Sequence, residues 1–185
     1  QEREDGPHPG PGLRMDEPRP PEESSPSPIC AAFVLKLGRT AYKAKRQRIL
    51  AACVKVRRPW AEELLWEALA DPNESVRSFV VKELRLRPSL RLELGLRRLR
   101  LPPWYARSSV LGIIRDRRIV EAVPEVLRAA GDANVDVRRS AAEALGELGG
   151  EEAVRVLVRL KKDANPYVRA AAEEAIGKTT SVRFS

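Results

Sequence analysis

The chain has 185 residues, enough for one ordinary core, with 34 basic and 26 acidic side chains, a single histidine and two cysteines. Two cysteines are too few for a disulfide framework, and one histidine removes most nucleophile–base pairs and most zinc or iron sites. The net charge of +8 is unevenly spread: residues 1–35 carry three basic and seven acidic side chains, residues 36–118 carry 21 and eight, and residues 119–185 carry ten and eleven, so the three segments stand at −4, +13 and −1.

Residues 1–28 hold eight of the 15 prolines, among Glu, Asp, Ser and Gly and almost no apolar side chain. Such a stretch cannot offset the entropy of ordering, so a disordered, acidic, proline-rich tail is expected there. The chain opens on Gln1 rather than Met, so either a removed leader or a boundary inside a longer protein precedes it; the compartment stays open, with the cytoplasm favoured. The longest apolar stretch, 29–37, is far shorter than the roughly 20 residues that cross a bilayer, and no membrane segment is expected. Residues 28–37 read instead as a first helix.

Beyond the tail the sequence repeats. Asp71-Pro-Asn-Glu-Ser-Val-Arg77, Asp132-Ala-Asn-Val-Asp-Val-Arg138 and Asp163-Ala-Asn-Pro-Tyr-Val-Arg169 share one pattern, and two fainter copies bring the arginines to Arg46, Arg77, Arg107, Arg138 and Arg169, spaced by 31, 30, 31 and 31 residues. A period of this size signals a repeat architecture. In register, Ile49, Val80, Val110, Ala141 and Ala172 are followed four residues on by Cys53, Leu84, Ile114, Leu145 and Ile176. Side chains four apart lie on one stripe of a helix, so each Val-Arg segment opens an amphipathic helix with its apolar face inward. Asn73, Asn134 and Asn165 are placed as N-caps, Pro166 falls in the first helical turn, and Gly146, Gly149, Gly150 and Gly177 are expected to mark helix ends. Partner helices are expected at 60–70, 89–100, 121–130 and 151–162. Helix pairs of this length bury their apolar faces only by stacking, which predicts an all-α, right-handed α-solenoid of about five pairs over 29–178, followed by a C-terminal tail, 179–185. Glu173 replaces the apolar residue of Leu50, Val81, Leu111 and Ala142, as a terminal unit requires.

The Asp-x-Asn-x-x-Val-Arg turn, with Ala-Ala-Glu-Ala-Leu-Gly-Glu-Leu-Gly at 141–149, resembles the HEAT-like repeats of the phycobilin lyase type, within the armadillo-like solenoids. The resemblance departs at Thr40 and Leu101, which stand where the turn aspartate belongs. It implies a ladder between adjacent repeats built from Asp71, Arg77, Asp132, Arg138, Asp163 and Arg169, a structural role for those residues. It also implies that the second helix of each pair lines a concave surface.

Little in the sequence promises chemistry. HEAT-like deoxyhypusine hydroxylases hold iron with His-Glu pairs, and no histidine lies in these repeats; nothing specifies a bilin pocket, and no metal or other cofactor is expected. The pairs Glu62-Glu63, Glu151-Glu152 and Glu173-Glu174 read as solvated faces. Cys30 and Cys53 read as small buried hydrophobes, and Gly149-Gly150 lacks the Gly-Lys-Ser/Thr continuation of a phosphate loop.

The basic first half is the remaining signal. Lys43, Arg48, Lys82, Arg85, Arg115 and Arg139 fall outside the apolar stripes and are the candidates to line a basic groove. A non-enzymatic adaptor that binds a protein with an acidic surface is the first expectation. Nucleic-acid binding is the alternative, because a groove of lysine and arginine suits phosphates and HEAT-like DNA glycosylases add aromatic residues, here Trp60, Trp66, Trp104 and Tyr105. A lyase-like or chaperone-like role on a cofactor-bearing protein is implied by the resemblance alone. The acidic tail could also lie in the basic groove and screen it.

Overall fold

The computed structural model describes residues 28–56 and 58–181. The expected acidic tail, apart from its last residue, and the last four residues lie outside this range. The order is α1 (Pro28–Arg39), α2 (Lys43–Val54), α3 (Pro59–Ala68), α4 (Glu74–Leu86), α5 (Leu92–Leu99), α6 (Trp104–Asp116), a 3-10 turn (Val120–Ala122), α7 (Val123–Ala129), α8 (Val135–Leu148), α9 (Glu151–Leu160) and α10 (Pro166–Ser181). No strand occurs among the described residues.

Helices α3, α5, α7 and α9 each pair with the next even one, whereas α1 and α2 both pack on α3. The even helices then stack in series, α2 on α4, α4 on α6, α6 on α8 and α8 on α10, while α1, α3 and α5 form a second row that resumes with α7 and α9. This is the α-solenoid that the arginine register predicts. The register also places the core: Val80, Val110, Ala141 and Ala172, and Leu84, Ile114 and Leu145, are completely buried, and each Leu or Ile so buried contributes about 2 kcal/mol. At the neighbouring register position Leu50, Leu111 and Ala142 are buried, and in the last repeat Glu173, which stands there, is exposed.

Local chemistry starts the regular helices. Asn73 accepts from the Ser75 amide, Asn134 from the Asp136 and Val137 amides, and Asn165 from the Tyr167 amide, satisfying donors that a helix start leaves open. Helix α8 stops at Gly149 and Gly150, whose φ values of 70° and 98° lie in the region glycine favours.

Gly146 and Gly177 depart from expectation, because both lie inside helices that run on, α10 as far as Ser181. At Gly146 the reason is proximity: a Cβ there would sit 2.7 Å from the Ala175 Cβ, so the glycine lets α10 approach α8. Gly95 does the same for α5, where a Cβ would sit 2.8 Å from the ring of Trp66, itself a fully buried core residue of α3.

Glu62 and Glu63 also differ from the solvated face expected of them: both are buried. Helix α3 is covered by α1 and α5, and arginines of the second neighbour supply the compensation a buried carboxylate needs. Glu62 accepts from the Arg91 amide at 2.6 Å and from the Trp66 indole at 3.3 Å, and Arg97 lies 3.7 Å from Glu63 and 2.8 Å from Glu67. Glu151, Glu152, Glu173 and Glu174 are exposed, as their sequence suggests.

Candidate functional site

The repeat arginines have two working edges. In Arg77, Arg138 and Arg169 the Nη1 group donates to two carbonyls of the turn just before it, those of Asp71 and Pro72, Asp132 and Ala133, and Asp163 and Ala164. The other edge reaches forward. Arg138 clasps the Asp163 carboxylate through Nε and Nη2 at 2.8 and 3.0 Å, Arg46 clasps Asp71 at 2.6 and 3.0 Å, and Arg107 reaches Asp132 at 3.0 Å. The inter-repeat partner of each turn aspartate is therefore the arginine of the preceding repeat, and the arginine six residues later binds that turn's backbone. Arg46 and Arg107 are members of this set that only the five-fold spacing of arginines signalled. The hydrogen bond from Arg138 holds the Asp163 carboxyl below the usual range for an aspartate, although partial burial opposes it.

The series breaks once. Leu101 stands where the aspartate facing Arg77 would be, and the Arg77 guanidinium lies over the Tyr105 ring, 4.3 Å from its centre. Arg77 keeps its two backbone bonds, and its Nε and Nη2 meet no carboxylate among the described residues.

The six candidate groove cations fall into two groups. Arg85 pairs with Asp116; Arg115 pairs with Asp116 at 2.8 Å and Glu143 at 2.5 Å; Arg139 lies 3.4 Å from Asp136 and 3.9 Å from Glu143. These three join neighbouring even helices or turns of one helix. Lys43, Arg48 and Lys82 are exposed and form no ion pair with the described residues. They lie on α2 and α4, in the part of the chain where residues 36–58 carry nine basic and no acidic side chains. At one repeat position the residue changes from Lys82 through Gly112 to Glu143 and Glu174.

Between α4 and α6 lies an open pocket of about 380 Å³, lined among others by Arg77, Lys82, Arg85, Trp104, Tyr105 and Ser108, with Glu74 as its carboxylate. Trp104 is 42% exposed and meets Tyr105 edge to face; the buried Ser108 hydroxyl has no partner among the described residues. Trp60 does not belong to this group, since it stacks on Phe33 at the other end of the array.

Residues 92–177 match the family model of HEAT repeats. The matched HEAT-like span runs from α5 into α10. HEAT repeats are commonly protein-interaction scaffolds and typically non-catalytic. No curated protein matches the chain. Among the described residues no cluster of three or more His, Cys, Asp or Glu side chains could hold a metal ion, and no helix is long and apolar enough to cross a membrane. The two cysteines are buried, and burial pushes the Cys30 thiol up to about 12, with Glu63 and Glu67 adding to the shift.

Proposed function

We propose that the chain is a non-enzymatic adaptor that binds an acidic segment of another protein along the concave face formed by its even helices. The division of cations carries this reading: Arg85, Arg115 and Arg139 are used within the fold, whereas Lys43, Arg48 and Lys82 are left to a partner. The sign change from Lys82 to Glu143 favours a short acidic protein segment over a long nucleic acid, because a duplex lying along the whole face would meet Glu143, Glu147 and Glu174.

The test compares the protein with a Lys43→Ala/Arg48→Ala/Lys82→Ala variant, whose substitutions break no ion pair among the described residues. Binding of a fluorescein-labelled hexaglutamate peptide and of a 20-base-pair duplex is followed by anisotropy across salt concentrations. We expect salt-sensitive peptide binding that weakens about tenfold in the variant, from roughly 0.5 kcal/mol for each exposed charge. Tighter binding of the duplex, with the same loss in the variant, would replace the adaptor by the nucleic-acid alternative.

A further inference from the structure

The missing aspartate at position 101 has a consequence for binding. Arg46 and Arg138 show what the forward edge of a repeat arginine does when its partner is present: it holds both oxygens of one carboxylate. In Arg77 the same edge is left without that carboxylate, and the residue borders the open α4–α6 pocket. A further group of the pocket suits an anion, the exposed ammonium of Lys82. Trp104 adds an exposed apolar surface.

We propose that this pocket is a carboxylate-binding site, in which an Asp or Glu side chain of a partner protein takes in trans the place that Asp71 and Asp163 fill in cis beside Arg46 and Arg138. The acidic side chain accepts two charge-assisted hydrogen bonds from Arg77 Nε and Nη2, with Lys82 beside it, while the neighbouring residue of the partner covers Trp104. The stack of Arg77 on Tyr105 fixes the guanidinium plane in advance, so little freedom is lost on binding. Glu74, which also lines the pocket, disfavours a second negative group there, which suits one carboxylate better than a polyanion.

The turn itself explains why the aspartate is absent. Asp71, Asp132 and Asp163 each also accept from the amide two residues later, that of Asn73, Asn134 or Asn165. At the α5–α6 turn that position is Pro103, which has no N–H.

This proposal rests on the acidic-partner reading, and one substitution separates the two. Leu101→Asp puts the carboxylate back in cis; Leu101 is 40% exposed, so little apolar burial is lost. We expect its melting temperature to rise by about 2 °C, as one added ion pair gives in a domain of this size, and its hexaglutamate affinity to fall about tenfold. Opposite signs exclude damage to the fold as the cause. Val158→Asp, which adds the same charge on the exposed side of α9, should bind as the unaltered protein does. If the unaltered protein binds hexaglutamate and the Leu101→Asp variant binds it equally well, the Arg77 site is wrong and the acidic-partner reading stands. A similar loss in Val158→Asp would show a general charge effect and also overturn the site. If the unaltered protein does not bind the peptide at low salt, both fall.

Discussion

The first two repeats and the last two are built from the same parts and use them differently. In the last two, asparagine caps open both even helices, a glycine pair closes α8, Arg138 clasps Asp163, and α8 and α10 make the most extensive helix contact among the described residues. In the first two, α2 starts at Tyr42 without a side-chain cap, the turn aspartate is absent at Thr40, and Lys43, Arg48 and Lys82 on α2 and α4 pair with no carboxylate among the described residues, although Arg46 clasps Asp71 as Arg138 does Asp163. The HEAT repeat match begins at residue 92, after both of these repeats. Side chains that are satisfied within the fold make an array regular, and side chains that are not are available to a partner.

The largest expected effect tests close packing in the regular half. Gly146→Val drives a side chain into Ala175, and overpacking of this kind costs about 3 kcal/mol, visible as a lower midpoint in urea. Gly112→Ala on α6 should behave oppositely, because the nearest atom to a Cβ there is an Arg85 nitrogen at 3.8 Å; helix propensity alone would then stabilise by up to about 1 kcal/mol. Comparable losses at both glycines would mean that α6 and α8 do not differ in packing at this position.

Next comes the ladder. Asp163→Ala removes both bonds from Arg138 and one from the Asn165 amide, at an expected cost of about 2 kcal/mol. The pH dependence follows from the lowered carboxyl: its contribution is present above the ordinary aspartate range and is lost as the pH falls through the lower folded value. The difference in stability between the protein and the variant should therefore shrink on acidification. A difference independent of pH down to complete acid unfolding would count against the pairing.

The smallest effect concerns the first repeat. Cys30, buried and raised to about 12, should react with a thiol reagent at pH 8 far more slowly than a free cysteine. Its shift stabilises the fold below the ordinary thiol value near 9, and that contribution is lost as the pH rises from there through about 12. Rapid labelling of Cys30 at pH 8 would show that the first repeat opens readily and would widen the contrast with the last two.

The arginine register made the fold legible, because a period of 31 residues with apolar side chains at fixed offsets places helices, core and stacking order together. Boundaries were less legible where one residue type serves two ends: Gly149 and Gly150 stop a helix, whereas Gly146 admits a neighbouring one, and only the approach of Ala175 tells them apart. Charges were the hardest to read. Glu62 and Glu63 look like a solvated pair until α5 is seen to bring Arg91 and Arg97 against them. Arg85, Arg115 and Lys82 are alike as cations in a sequence, and what separates them is Asp116 and Glu143 on the adjacent helices, about one repeat away along the chain. The departure at Leu101 was visible as an irregular turn; that it leaves an arginine edge without its carboxylate required knowing that the edge points forward to the next repeat.

For the proposed acidic partner, the change of sign along the even helices also bears on how it would arrive. With +13 on residues 36–118 and −1 on residues 119–185, charge is divided unequally along the stacking axis. An anionic partner approaching in dilute salt is turned toward the α2–α4 end before any side chain touches it, and encounter is quickened over a range set by the Debye length, about 8 Å at physiological ionic strength. On the proposed reading, the cations on that end would act chiefly on the rate of association and on its orientation, and the contacts beside Trp104 would set how long the complex lasts.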